Sequence, residues 1–178
     1  MDEPQGRLEP TDPDEIAKAR AARLDEYGLL GVERDQDLNA YAQDMVQAFG
    51  AQAAVVNLFD EEYQNFVGIH MKEGDPSALT KMPKSAGWCP HTMKREVAFP
   101  LENVADHPRF FVGNVLVESM AVESYLGMAL RDRDGTALGT VCVVDTEQRK
   151  WDVPLIKDFA NRVMENIQQR GQRGEAQR

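Results

Sequence analysis

The sequence predicts an α+β fold: a central twisted antiparallel sheet of five to six strands, terminal helices packed on one face, and loops and short helices forming a pocket on the other. Three observations carry this. Two pairs of strand-like segments are each joined by a short acidic turn, which reads as two hairpins and therefore an antiparallel sheet. Helical stripes stand before the first hairpin and after the second, apolar on one side, as helices laid on one sheet face are. Between the hairpins lies a long stretch interrupted by Gly, Pro and Ser, with only short helical turns. That stretch is left to cover the opposite face, and an elaborated face of that kind tends to enclose a pocket.

The first helix is announced by Asp12-Pro13-Asp14-Glu15: an N-cap, a proline suited to the first helical position and a capping-box glutamate. It runs through Ile16, Arg20, Leu24 and Tyr27 towards Gly28 or Gly31. Its apolar face is weak and interrupted, which suggests a peripheral helix completed by a partner chain. The second helix places Leu38, Tyr41, Ala42, Met45, Val46 and Phe49 on one stripe, with Asp35 as cap and Gly50 as a left-handed stop. Residues 53–59 and 63–70 then form the first hairpin around Asp60-Glu61-Glu62. From Met71 to Lys84 the pattern dissolves into a long loop. A short helix starts near Cys89-Pro90, a brief strand follows at 97–100, and 101–117 reads as loop with one helical turn. Residues 124–131 and 136–145 form the second hairpin around Asp134-Gly135. The last helix opens after Asp152 and carries Leu155, Ile156, Phe159, Val163, Met164 and Ile167 on one stripe.

At 178 residues the chain suits one domain, over 13–168, with a disordered segment at 1–12 and a disordered polar tail at 169–178. A formal net charge of −10 argues against nucleic-acid partners, because phosphate contacts need clustered Lys and Arg. Residues 1–30 show no apolar signal region and no stretch has the length of a membrane span, so the expected location is the cytoplasm. Two cysteines, Cys89 and Cys142, exclude a disulfide-stapled scaffold.

Four segments, in order, resemble the GAF domain, a small-molecule sensor family. The first hairpin, from Val56 to Phe66, is similar to the family's apolar strand, acidic turn and Gln-x-Phe return strand. Trp88-Cys89-Pro90-His91 resembles its F-C-x-H helix start. Asp106-His107-Pro108-Arg109-Phe110 resembles its D-x-R-F segment. The stretch from Tyr125 through Gly127, Leu130, Asp134-Gly135, Leu138-Gly139-Thr140 and Cys142 to Asp145 is similar to its closing hairpin. The resemblance covers roughly residues 24–168 and implies a GAF/PAS-like fold with helices on one sheet face and the ligand on the other. It does not name the ligand or any cofactor.

Candidate ligand-binding residues are Trp88, Cys89, His91, Phe110, Phe111, Met120 and Tyr125, the chemistry-bearing and apolar residues of the segments expected over the second face. With Pro90 as first helical residue, Cys89 stands at the N-cap, where unpaired amides favour a thiolate; the plain alternative is a small buried hydrophobe. His91 either meets a ligand or bonds a nearby carbonyl. Asp106 and Arg109 either orient a polar ligand or brace their loop. Cys142, inside an apolar strand, reads as core filling. Spacing among His70, Cys89, His91 and His107 fits no structural zinc pattern, so no metal is expected.

The leading functional expectation is a stand-alone bacterial sensory or regulatory domain. It binds a small molecule and signals through a homodimer of its terminal helices or through a separate partner protein, since no output domain accompanies it. One alternative is a free methionine-(R)-sulfoxide reductase-like enzyme using Cys89, against which residues 71–86 offer no further cysteine. The other is a haem or chromophore module, with His91 as axial ligand or Cys89 as anchor.

Overall fold

The computed structural model describes residues 12–107 and 114–176. The helices are α1 (Pro13–Glu26), α2 (Gln36–Phe49), α3 (Cys89–Met93), α4 (Val115–Ser119) and α5 (Val153–Ala176). The strands are β1 (Ala53–Phe59), β2 (Tyr63–Met71), β3 (Lys81–Pro83), β4 (Phe99–Leu101), β5 (Ser124–Arg131) and β6 (Ala137–Asp145). They form one six-stranded sheet in the order β3-β2-β1-β6-β5-β4, and every neighbouring pair is antiparallel.

The two-residue period of the central strands divides the core into two layers. Ala54, Val56 and Leu58 of β1, with Leu126, Leu130, Val141 and Val143, face α2 and α5. The same layer takes Leu38, Ala42, Met45 and Phe49 from α2 and Ile156, Phe159, Val163 and Ile167 from α5. Ala53, Val55, Tyr125, Cys142 and Val144 point the other way, towards α3, α4 and the connections between the hairpins. Both faces of β1 and β6 are buried, which is why these strands read as almost continuous apolar runs.

Local signals place the helices on the sheet. The Asp35 carboxylate accepts from the Leu38 amide at 3.0 Å to start α2, and Gly50, at φ 61°, ends it in the left-handed region. On β2, a β-carbon at position 68 would run into the Leu38 carbonyl, so glycine there lets α2 lie directly against the strand. The apolar stripe of α5 is buried in this chain's own first layer.

The weak apolar face of α1 is supplemented from within the same chain. Ala17, Ala21 and Leu24 are buried, and polar contacts do the rest. Arg20 donates to the Ala137 carbonyl at 2.7 Å, Arg23 to Asp132 at 2.9 Å and Asp134 at 2.7 Å, and the Tyr27 hydroxyl to Asp132 at 2.7 Å. Asp132 also accepts from Gln168 of α5 at 3.1 Å. One buried carboxylate at the tip of the β5–β6 hairpin therefore holds both terminal helices.

Four boundaries differ from the sequence expectation. Residues 71–84 are not all loop: a turn of 3-10 helix (Pro76–Ala78) leads into β3, which pairs with β2 at the sheet edge. An edge strand of three residues ending in proline leaves no periodicity to detect. The strand expected at 97–100 is β4, over Phe99–Leu101. The 101–117 stretch holds a 3-10 turn (Val104–Asp106) and the start of α4. The tail expected to be disordered from 169 continues α5 to Ala176, because Arg170 binds the Asp35 carboxylate through two 2.7 Å hydrogen bonds. Among the described residues, no helix is long and apolar enough to cross a membrane.

Candidate functional site

The second layer is built around one residue of β5. Tyr125 is fully buried; its ring stacks on Trp88 at 4.9 Å between centroids and meets Phe99 edge-on at 6.2 Å. Two positions along the same face of the strand stands Gly127. A β-carbon there would occupy the place of the Tyr125 hydroxyl, so the Tyr-x-Gly spacing lets the phenol lie back along its own strand. The hydroxyl reaches α3, 2.8 Å from Thr92 Oγ1 and 3.4 Å from Cys89 Sγ.

These contacts form a hydrogen-bond chain. Thr92 donates to the Trp88 carbonyl at 3.4 Å, which directs the Tyr125 hydroxyl to Thr92 and the Cys89 thiol to Tyr125. With Cys89 ionised, the sense reverses and Tyr125 donates to sulfur. Arg131 of β5 fastens α3 from its other end, donating to the Met93 carbonyl at 2.9 Å and the Arg95 carbonyl at 3.1 Å.

Beneath Cys89, on β6, lies Cys142. Both thiols are free and buried in the same cluster, close enough for each to shift the other's titration. Cys89 is held down at about 7, first by the nearby Cys142 thiol and then, against burial, by the polar Thr140, Tyr125 and Asn57 side chains around it, of which Tyr125 stands at hydrogen-bonding distance. Cys142 is pushed well up, by the neighbouring Cys89 thiol and its charge and by burial. The proton therefore stays on Cys142, and Cys89 is the sulfur that ionises. Tyr125 is also pushed well up, chiefly by burial and the neighbouring thiols, and remains a hydroxyl.

Around this pair the layer is polar in a way its strands conceal. Asn57 of β1 and Thr140 of β6 are cross-strand partners and both are buried. Asn57 Nδ2 donates to Gln64 Oε1 at 2.8 Å, and Gln64 Nε2 donates to the Ala86 and Pro83 carbonyls at 2.7 and 2.9 Å. Gln64 thus ties the sheet to the connection that leads into α3. Three buried polar atoms of this layer have no hydrogen-bond partner among the described residues: Asn57 Oδ1, Thr140 Oγ1 and Trp88 Nε1.

Of the residues expected at the site, Trp88, Cys89 and Tyr125 come together here. Met120 is half-buried against the same layer, and His91 is half-buried on α3, with a partner of its own. Phe110 and Phe111, like Arg109, lie outside the described residues. Cys89 is the first residue of α3 and Trp88 its cap, one position earlier than the proline-based expectation. Asn57, Gln64, Thr92 and Thr140 carried no assigned role from the sequence; the available signal was a polar residue inside strands otherwise apolar and wholly buried. Cys142 fills the core as read, in the same buried cluster as Cys89. Asp106 is exposed and lines an open groove of about 620 Å³ at the margin of the layer, between residues 100–107 and 148–150. Among the described residues, no group of three or more His, Cys, Asp or Glu side chains is arranged to hold a metal ion.

The family model of the GAF domain matches residues 33–167, from just before α2 into α5. The chain belongs to the GAF domain family. Solved GAF structures share its fold. The GAF domain of an Acinetobacter phosphoenolpyruvate-protein phosphotransferase superposes with a TM-score of 0.61 at 14% identity, covering 91% of this chain and 93% of that one. A free methionine-R-sulfoxide reductase from Neisseria meningitidis, solved with its substrate, superposes with a TM-score of 0.60 at 16% identity, covering 91% of this GAF domain and 89% of that chain. At such identities the likeness is one of fold alone. A cyclic di-GMP phosphodiesterase of Pseudomonas aeruginosa is 24% identical over 156 residues. That alignment takes in 84% of this chain but 25% of the relative, so the GAF domain spans about a quarter of that protein.

Proposed function

We propose that this GAF domain is a sensory or regulatory module whose small-molecule ligand enters the second layer of the sheet beside Cys89. One observation carries the reading: Asn57 Oδ1, Thr140 Oγ1 and Trp88 Nε1 are buried there without hydrogen-bond partners among the described residues. A buried polar atom left unpaired costs about 1–3 kcal/mol, so three in one layer are a burden that a hydrogen-bonding ligand would relieve. Trp88 and Tyr125 supply a stacked aromatic wall, and Thr92, Tyr125 and Cys89 add groups that can donate or accept.

The route outward is the β5–β6 hairpin. Tyr125, Thr140 and Cys142 stand on its strands, and Asp132 at its tip grips Arg23 and Tyr27 of α1 and Gln168 of α5. A ligand that reorders the second layer shifts the hairpin and with it the terminal helices, which pass the change to a second copy or to a separate partner protein. Because the apolar stripe of α5 is already buried, such contacts use the polar faces of those helices.

Native mass spectrometry of freshly purified protein, set against its denatured mass, tests the reading. The expected result is excess mass that leaves on denaturation and is diminished in Thr140→Val. Bare protein that also fails to take up any compound from a metabolite library, with Thr140→Val indistinguishable from wild type, contradicts it.

A second reading, a reductase of free methionine-(R)-sulfoxide, is favoured by the placement of Cys89 and Cys142 in one buried cluster. Turnover of that substrate with dithiothreitol, abolished by Cys89→Ser, is its test; no turnover removes it.

A further inference from the structure

We propose that Cys89 and Cys142 form a reversible intramolecular disulfide on meeting a small hydroperoxide, which makes the second layer a peroxide-responsive dithiol as well as a ligand site. The two residues come from opposite sides of that layer, Cys89 from α3 and Cys142 from the sheet beneath it. Gly127 is the cross-strand neighbour of Cys142 on β5 and has no side chain. On the other side the neighbour is Val55. The Tyr125 phenol lies over Gly127 and reaches Cys89 rather than Cys142. The Cys89 sulfur, 3.4 Å from the hydroxyl that overlies Gly127, thus stands beside the cross-strand neighbour of Cys142 in the same buried cluster. A disulfide needs the two sulfurs brought to roughly 2 Å, which asks α3 to settle towards β6.

The chemistry divides cleanly between the two sulfurs. Cys89 ionises near neutrality and Cys142 keeps its proton, which is the asymmetry an attacking and a resolving thiol need. The Cys89 thiolate attacks the terminal oxygen of the hydroperoxide; the S–O bond forms, the O–O bond breaks, and the departing alkoxide takes up the proton that Cys89 had released, leaving a sulfenic acid and an alcohol. Cys142 sulfur then attacks Cys89 sulfur; the S–S bond forms, the S–O bond breaks, and hydroxide leaves as water with the Cys142 proton. Two thiols give up two electrons and two protons, and the hydroperoxide becomes alcohol and water (two waters from hydrogen peroxide). An external dithiol reduces the pair again. Burial selects the oxidant: at 3% and 1% exposure behind the Trp88–Tyr125 stack, the sulfurs are open to a small uncharged peroxide and closed to a charged, bulky disulfide.

The chain has two cysteines, so the products are few. The reduced full chain is treated with hydrogen peroxide, quenched with catalase, unfolded, alkylated with iodoacetamide and weighed intact. The expected product is monomeric, about 2 Da lighter than the reduced chain, carries no alkyl group, and regains two after dithiothreitol. Oxidised glutathione in place of peroxide leaves both thiols alkylatable. In Cys142→Ser, peroxide leaves a sulfenic acid at Cys89 that dimedone traps. Two alkylated cysteines after peroxide, a sulfinic acid in the wild type, or a disulfide between two chains would each overturn the proposal, and the wild-type measurement decides even if the variant fails to fold.

Discussion

The Tyr125 phenol fills the space in which a β-carbon on Gly127 would stand. Through that one vacancy the side chain folds back along β5, stacks on Trp88 and brings its hydroxyl to Thr92 and Cys89. The second layer, with its buried thiols and unpaired polar atoms, is organised around this pair of positions.

Gly127→Ala is therefore expected to destabilise the domain by about 1–3 kcal/mol, since the new methyl forces the ring out of its stack. Urea unfolding measures it. Combined with Tyr125→Phe, which removes the oxygen that the methyl meets first, the loss should be smaller than the sum of the two single losses. Strict additivity would mean the two positions do not compete for space.

Arg170 fixes the end of α5. Its paired 2.7 Å hydrogen bonds to Asp35 join that helix to the cap of α2, with both side chains about four-fifths shielded. Arg170→Ala should cost about 1–2 kcal/mol in urea unfolding. Amide exchange should also quicken over 168–176 before it changes in the sheet. Unaltered exchange in those residues would show that the pair does not hold the helix.

Much of the fold was legible because its signals are local. Asp35 and Gly50 bracket α2, Asp134-Gly135 turns the second hairpin, and the period of Leu155 to Ile167 lays α5 on the sheet. What escaped depends on distant partners. Polar residues 169–176 are helical through an arginine bound to a residue 135 positions earlier, and β3 exists because β2 offers it an edge. The site divides similarly. Trp88, Cys89 and Tyr125 could be picked out from chemistry and motif. Asn57, Gln64 and Thr140 read as strand residues, and only the register that sets Asn57 beside Thr140, under a cysteine from another element, gives them a common role.

Acid should loosen the terminal helices before neutral pH does. Burial pushes the Asp132 carboxyl up, yet the Tyr27 hydroxyl, the Arg133 amide, Gln168 and the Arg23 charge outweigh it and hold the group below its usual range. Asp35 is likewise held low, first by Arg170. A carboxyl depressed in the folded state stabilises fully above its unfolded pKa, about 3.9, and the contribution is lost as pH falls through the lower folded value. Stability from these groups should be level between about pH 5 and 7 and decline below about pH 4. Asp132→Asn should be less stable at pH 7 and show a shallower decline. An equal acid slope in both proteins would assign that slope to other carboxyls.

Urea unfolding of ligand-free Thr140→Val asks whether the polar atoms beside Cys89, unpaired among the described residues, are held there for a ligand. Valine keeps the shape and removes the hydroxyl, so a stabilisation of about 1 kcal/mol is expected, together with loss of ligand. A destabilisation of the same size would show that Thr140 already has its partner within the chain, and would contradict the account.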